Sequence, residues 1–186
     1  YSGPSERMTD VPHWISPPWE GDHIHTSCYN WVGRVVAEYG LANKRTIEIG
    51  SQNINGTIKD HWTTDSYVGV DIGPGSGVDR IEDSQKLTDS DATWPVVVSV
   101  EMLEHCQRPW RAVAEMARIC QPQGHVILSA RGYDERGCWQ IHAYPWDFWR
   151  VSEGAMRVMM EDAGLEVLEI LSDPEGPGVF AIARKP

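Results

Sequence analysis

Hydrophobic positions along this chain follow two rhythms. Short β-branched runs at Thr46–Ile49, Tyr67–Val70, Pro95–Val100 and His125–Ala130 predict buried parallel strands. Other stretches carry helical spacing. Trp31, Val32, Val35, Val36 and Tyr39 share one helical face that stops at Gly40. Trp110, Val113, Met116, Ala117 and Cys120 share another within Arg108–Cys120, with Pro109 near its start and Pro122–Gly124 after it. Ser152 reads as the cap of a third helix that ends at Gly164. Leu165–Leu171 and Gly178–Ala183 then read as strands with no helix between them. Their link, SDPEGPG, is all turn chemistry, so they predict an antiparallel hairpin. Strands alternating with helices imply a single open α/β sheet, mostly parallel. Residues 1–26, rich in Pro, His and Trp, read as an irregular arm, and 27–186 as one domain without internal repeats.

The most informative stretch is TIEIGSQNING, Thr46 to Gly56. A strand runs into Gly50, which permits a sharp turn and close backbone approach, and Gly56 is expected to open the next helix. Asp71 ends the second strand, 21 residues after Gly50, where a carboxylate accepts hydrogen bonds from the two hydroxyls of an adenosine ribose. This is the first half of a Rossmann-like doubly wound sheet. The loop nevertheless lacks the middle glycines of G-x-G-x-x-G, and no G-x-x-x-x-G-K-[ST] occurs. GPGSG at Gly73–Gly77 follows the second strand and reads as a turn. The pattern suits an adenosine ligand without phosphate.

On these residues the chain resembles the class I S-adenosylmethionine-dependent methyltransferases, whose first motif is a strand, E-x-G and a glycine-bearing loop. Glu48, Gly50 and Gly56 match it, with Ser51 to Asn55 between. VDRIEDSQKL resembles the family's third strand and the acid beside the adenine amine, here Asp83, with Ser84 next to it. The resemblance implies a cofactor site made of Glu48, Gly50, Ser51, Asn55, Gly56, Asp71, Ile72, Asp83, Ser84, Val100 and Glu101. It also implies the antiparallel final strand pair and an N-terminal segment that often closes the substrate site.

Candidate acceptor chemistry follows the fourth strand. In Glu101-Met102-Leu103-Glu104-His105, a helical turn would put two carboxylates and an imidazole on one face. Such a group could hold Mg2+ or Mn2+, with His142 as a further ligand. The pattern is similar to that of the metal-using ubiquinone-pathway O-methyltransferases and small-RNA 2′-O-methyltransferases. Many small-molecule methyltransferases carry Leu-Glu-His here with no metal, and then Glu104 and His105 bond loop backbone or line the pocket. Methyl transfer is an in-line displacement that mainly requires alignment, so His105 and His142 are the candidate bases for a hydroxyl acceptor. Tyr144, Trp146, Phe148 and Trp149 are candidates for the pocket wall or the core, and Arg150 for an acidic substrate group or an ion pair.

Composition narrows the partners. The chain has 16 basic and 27 acidic residues, a net charge of -11 that repels phosphate backbones and disfavours nucleic acid. A small-molecule acceptor fits better. No apolar run is long enough for a membrane span, and the four cysteines lack C-x-x-C spacing, which suggests free thiols and a cytoplasmic setting. The expected activity is methyl transfer to a hydroxyl or amine. The alternatives are a metal-dependent methylation of an RNA terminus, a non-catalytic adenosine-binding subunit, and a nicotinamide enzyme that the loop argues against.

Overall fold

The computed structural model describes residues 26–54, 56–133 and 147–186. The reading of 1–26 as an arm therefore lies almost wholly outside the described residues. So do Asn55, His142, Tyr144 and Trp146. From Thr26 onward the elements run α1 (Thr26–Glu38), β1 (Thr46–Ile49), β2 (Tyr67–Asp71), β3 (Arg80–Ile81), β4 (Trp94–Ser99), α2 (Pro109–Ile119), β5 (Cys120–Arg131), α3 (Glu153–Asp162), β6 (Glu166–Ser172) and β7 (Gly178–Arg184).

The seven strands form one sheet in the order β3-β2-β1-β4-β5-β7-β6. Pairings are parallel from β3 through β5, and β7 is antiparallel to both β5 and β6. The expected mostly parallel sheet with an antiparallel final pair is thus present. Alternation along the central strands divides the core in two. Ile47, Ile49 and Val97 face α2 and α3, joining Val113, Met116, Met156 and Met160. Val96 and Val98 face the other way, toward Trp31, Val32, Val35 and Val36 of α1 and toward Ile58, Trp62 and Tyr67.

Local chemistry fixes the helix ends. Ser152 Oγ accepts from Ala155 N at 3.2 Å, the expected cap. At the C-terminal end of α2, Lys185 Nζ donates to Ala117 O and Cys120 O, both at 2.8 Å, which satisfies carbonyls that a helix end leaves without partners. Two expectations need correction. The fifth strand starts at Cys120 rather than after Gly124, because Gln123 takes a φ of +62° and its N–H bonds Lys185 O, carrying pairing through an irregular register. The helix expected to open at Gly56 does not form. Gly56 has a φ of +131° and its N–H is taken by Asn53 Oδ1 at 2.8 Å, so the only helical piece among the described residues between β1 and β2 is the 3-10 turn Lys59–His61. That turn is held from α1: His61 Nε2 lies 2.9 Å from Tyr29 O, and a Cβ on Gly33 would sit 2.7 Å from the His61 ring.

Candidate active site

The carboxyl ends of β1, β2, β3 and β4 meet along one edge, where open α/β sheets bind ligands. Gly50 ends β1 with a φ of +84°, and a Cβ there would lie 2.5 Å from Met102 Cγ. Only glycine lets the turn after β1 pack against the turn after β4. Gly50 N and Ser51 N both donate to Val70 O, at 2.8 and 3.1 Å, which ties the loop to β2.

With no helix after this loop, the Gly73–Gly77 segment braces it. A Cβ on Gly69 would stand 1.9 Å from Gly77 O, and Asn53 N donates to Ser76 O at 2.8 Å. The GPGSG segment is therefore more than a turn between strands. Its contacts position the stretch that contains Ser51, Gln52 and Asn53.

Asp71 stands at the end of β2, half-buried. Its carboxylate accepts from Gln52 N at 3.1 Å and Gly73 N at 3.3 Å, which fixes its orientation at the sheet edge. Ile72, next in sequence, is 77% exposed. Beyond β3, Asp83 is exposed and its Oδ1 accepts from Gln85 N at 2.9 Å, while Ser84 Oγ lies 3.8 Å from Cys106 Sγ. Val100 is buried at the end of β4.

Glu48 lies on the sheet face opposite Ile47 and Ile49 and is buried there. Tyr67 Oη donates to its Oε2 at 2.8 Å. Burial pushes the Glu48 carboxyl up to about 7, against the lowering effects of the Tyr67 hydrogen bond and Lys59. Its side chain thus braces β1 against β2 beneath the glycine turn.

After β4 the backbone turns through Glu101, a non-glycine residue with a φ of +53°. Ser129 Oγ accepts from Glu101 N at 3.1 Å, and Arg131 Nη1 lies 3.6 Å from Glu101 Oε2. Burial raises the Glu101 carboxyl to about 7, with Arg131 opposing the shift. Glu104 is fully buried, and its carboxyl rises well above the usual range through burial first and the Glu101 charge second. Among the described residues neither Glu104 oxygen has a partner in hydrogen-bond geometry, although the nearby N–H groups of Glu104 and Arg131 partly favour its charged form. His105 Nε2 lies 3.9 Å from Glu104 Oε1.

The expected helical turn through Glu101, Glu104 and His105 takes a different shape. Glu101 sits in the left-handed region, and a 3-10 turn begins only at Leu103, so the three do not share an α-helical face. Among the described residues no three His, Cys, Asp or Glu side chains converge where an ion could sit. His142, the further expected ligand and base, lies outside them.

The segment after residue 146 closes the site's flank. Phe148 N and Trp149 N donate to Glu104 O at 2.8 and 3.2 Å. Arg150 forms a largely buried, two-pronged ion pair with Asp147, the structural fate of that arginine. Trp149 meets Trp110 edge to face at 5.9 Å, beside an apolar groove of about 550 Å³ between α2 and α3. Phe148 and Trp149 are 42% and 41% exposed, so neither is core.

Ser129 and Arg131 escaped the sequence reading. Their signal was positional: alternate residues at the end of the fifth strand, next to the fourth in a parallel sheet. Met102 and Gly69 carried no sequence signal, since only the folded approach of two loops reveals them. Cys28, Cys106 and Cys120 are buried free thiols, and Cys138 lies outside the described residues. No helix among the described residues is long and apolar enough to cross a membrane.

Comparison with known proteins agrees with this geometry. No curated protein matches the chain. Solved structures share its fold at low identity. The [4+2]-cyclase SpnF is 13% identical with a TM-score of 0.67, over 85% of this chain and 81% of its own. The 1,6-didemethyltoxoflavin-N1-methyltransferase of Burkholderia thailandensis, solved with its substrate and S-adenosylhomocysteine, is 12% identical with a TM-score of 0.67, over 85% and 78%. A SAM-dependent methyltransferase of Thermotoga maritima is 18% identical with a TM-score of 0.62, over 86% and 90%. A family model described as a methyltransferase domain matches residues 32–170, from α1 into β6. The chain belongs to this methyltransferase-domain family and is a class I, S-adenosylmethionine-dependent methyltransferase.

Proposed function

We propose that the protein transfers the methyl group of S-adenosylmethionine to a hydroxyl or amine of a small-molecule acceptor. The observation that carries this reading is the meeting, at one sheet edge, of the left-handed Gly50 turn, the oriented Asp71 carboxylate and the Glu101 turn. Asp71 accepts from the ribose hydroxyls. The backbone of the Glu48 to Gly56 stretch surrounds the amino-acid tail. Ile72, Asp83 and Ser84 border the adenine, and Val100 and Glu101 border the sulfonium end. Glu48 supports this site from below through Tyr67.

Acceptor chemistry lies on the Glu101 to His105 side. His105 is the described candidate base for a hydroxyl, and its ring faces Glu104. An ion on these residues draws no support from the described geometry. The net charge of -11 favours a small acceptor over an RNA terminus.

The test is ligand binding. Excess S-adenosylmethionine or S-adenosylhomocysteine should raise the melting temperature of the wild-type protein. Asp71→Ala should weaken either ligand on the order of tenfold or more, because two ribose hydroxyls lose their acceptor. Absence of any shift with the wild-type protein would remove the cofactor assignment.

A further inference from the structure

The turn after β4 places the carboxyl groups of Glu101 and Glu104 together where an acceptor would sit. Among the described residues the guanidiniums of Arg131 and Arg150 act on this cluster, and Arg131 Nη1 stands 3.6 Å from Glu101 Oε2, beyond direct hydrogen bonding. Arg150 is matched by Asp147. Asp173 adds a further negative charge felt by Glu101, and its own Oδ2 accepts from Ser27 Oγ at 2.8 Å. Behind these groups, Glu104 is wholly enclosed, and among the described residues neither of its oxygens has a partner in full hydrogen-bond geometry, the N–H groups of Glu104 and Arg131 being the nearest donors.

A buried carboxylate without donors is costly, and a group left so calls for a reason. The cluster is graded in depth. Glu101 and His105 are each 19% exposed at the side chain, while Glu104 is not exposed at all. A ligand therefore reaches Glu101 and His105 first, with the Glu104 carboxyl behind them. An anionic acceptor group would be repelled at this position, and a neutral hydroxyl would leave the field uncompensated. A compact cation with several N–H donors answers both problems.

We propose that the acceptor carries an amine, seated as its ammonium form against Glu101; Glu101 takes one proton, the freed lone pair forms the N–CH3 bond as the S–CH3 bond breaks, and S-adenosylhomocysteine leaves. This rests on the methyl-transfer reading above and narrows it from hydroxyl or amine to amine-bearing molecules. Glu101 makes the contact. Glu104, enclosed behind it, favours its charged form only when a cation stands in front of it.

Calorimetry on the full chain saturated with S-adenosylhomocysteine tests this with two probes of equal size, phenethylamine and 2-phenylethanol. The amine should bind about tenfold or more tightly than the alcohol. Glu101→Gln and Glu104→Gln should each bring the two probes close to parity, each measured with the variant held saturated with S-adenosylhomocysteine. Glu101, being part-exposed, keeps the test valid if Glu104→Gln does not fold. Equal or tighter binding of the alcohol, a preference that survives Glu101→Gln, or no binding of either probe would overturn the proposal. So would stabilisation by magnesium chloride in place of the amine. Failure of the wild-type protein to bind S-adenosylhomocysteine is a separate result, which removes the methyl-transfer reading and this inference with it.

Discussion

One face of the sheet, β1 and β4 included, is packed by α2 and α3, whereas the carboxyl ends of β1 and β2 are enclosed by two loops, the one after Gly50 and the Gly73–Gly77 segment. The helical part excludes water with side chains: Val113, Met116, Met156 and Met160 are all fully buried. The loop part relies on backbone approach, with Gly69 under Gly77 O and Gly50 against Met102. One region therefore owes its stability mainly to apolar area. The other owes its shape to the absence of side chains at a few points, and that shape is the proposed cofactor site.

Breaking the helical part should produce the largest effect. Met116→Ala leaves a cavity beneath α2 and should cost about 2 to 5 kcal/mol of stability. Cofactor affinity of the folded fraction should hold, because Met116 lies away from the Gly50 edge. Denaturant midpoints paired with calorimetry would check this, and a matching loss of affinity would show that the two regions are not separable.

Gly69→Ala attacks the loop part. The added methyl would collide with Gly77 O, and relieving that contact should cost about 1 to 3 kcal/mol. Here affinity should fall along with stability, since the Gly73–Gly77 segment also holds Asn53. An unchanged cofactor dissociation constant would contradict the bracing role.

The smallest expected effect sharpens the comparison through pH. Glu48 binds its proton more tightly when folded, at about 7, than a carboxyl at its ordinary value of 4.5. Its contribution to stability is thus full below about 4.5 and is lost as pH rises through about 7. Glu101 shares the same direction and window. Glu48→Gln should flatten part of the fall in melting temperature across that range, leaving the share that belongs to Glu101 and Glu104. A profile identical to wild type would show that Glu48 does not titrate there.

The same contrast explains what was legible in the sequence. α1, α2 and α3 announced themselves because each must present an apolar face at 3.6-residue spacing, and Ser152 marked its own helix start. β1, β2, β4, β6 and β7 were readable as β-branched runs between turn residues. The stretch from Gly50 to Trp62 was misread because a glycine after a strand ordinarily precedes a helix. Here side-chain and backbone partners take up the N–H groups that a helix would have used. Among the site residues, Asp71 and Gly50 could be placed from strand order alone. The true form of the Glu101 turn could not, because a positive φ at a glutamate is set by Ser129 and Arg131 on a strand nearly thirty residues away.

The fit between Gly33 and His61 bears on how this protein can diverge. The ring is fixed on both sides, by Tyr29 O at 2.9 Å and by the Tyr29 ring at 4.1 Å, so it cannot swing aside for a larger neighbour. A descendant that acquires a side chain at position 33 must also shrink position 61. The two positions should therefore drift as a pair, and mutational steps that pass through one change alone should be the rare ones.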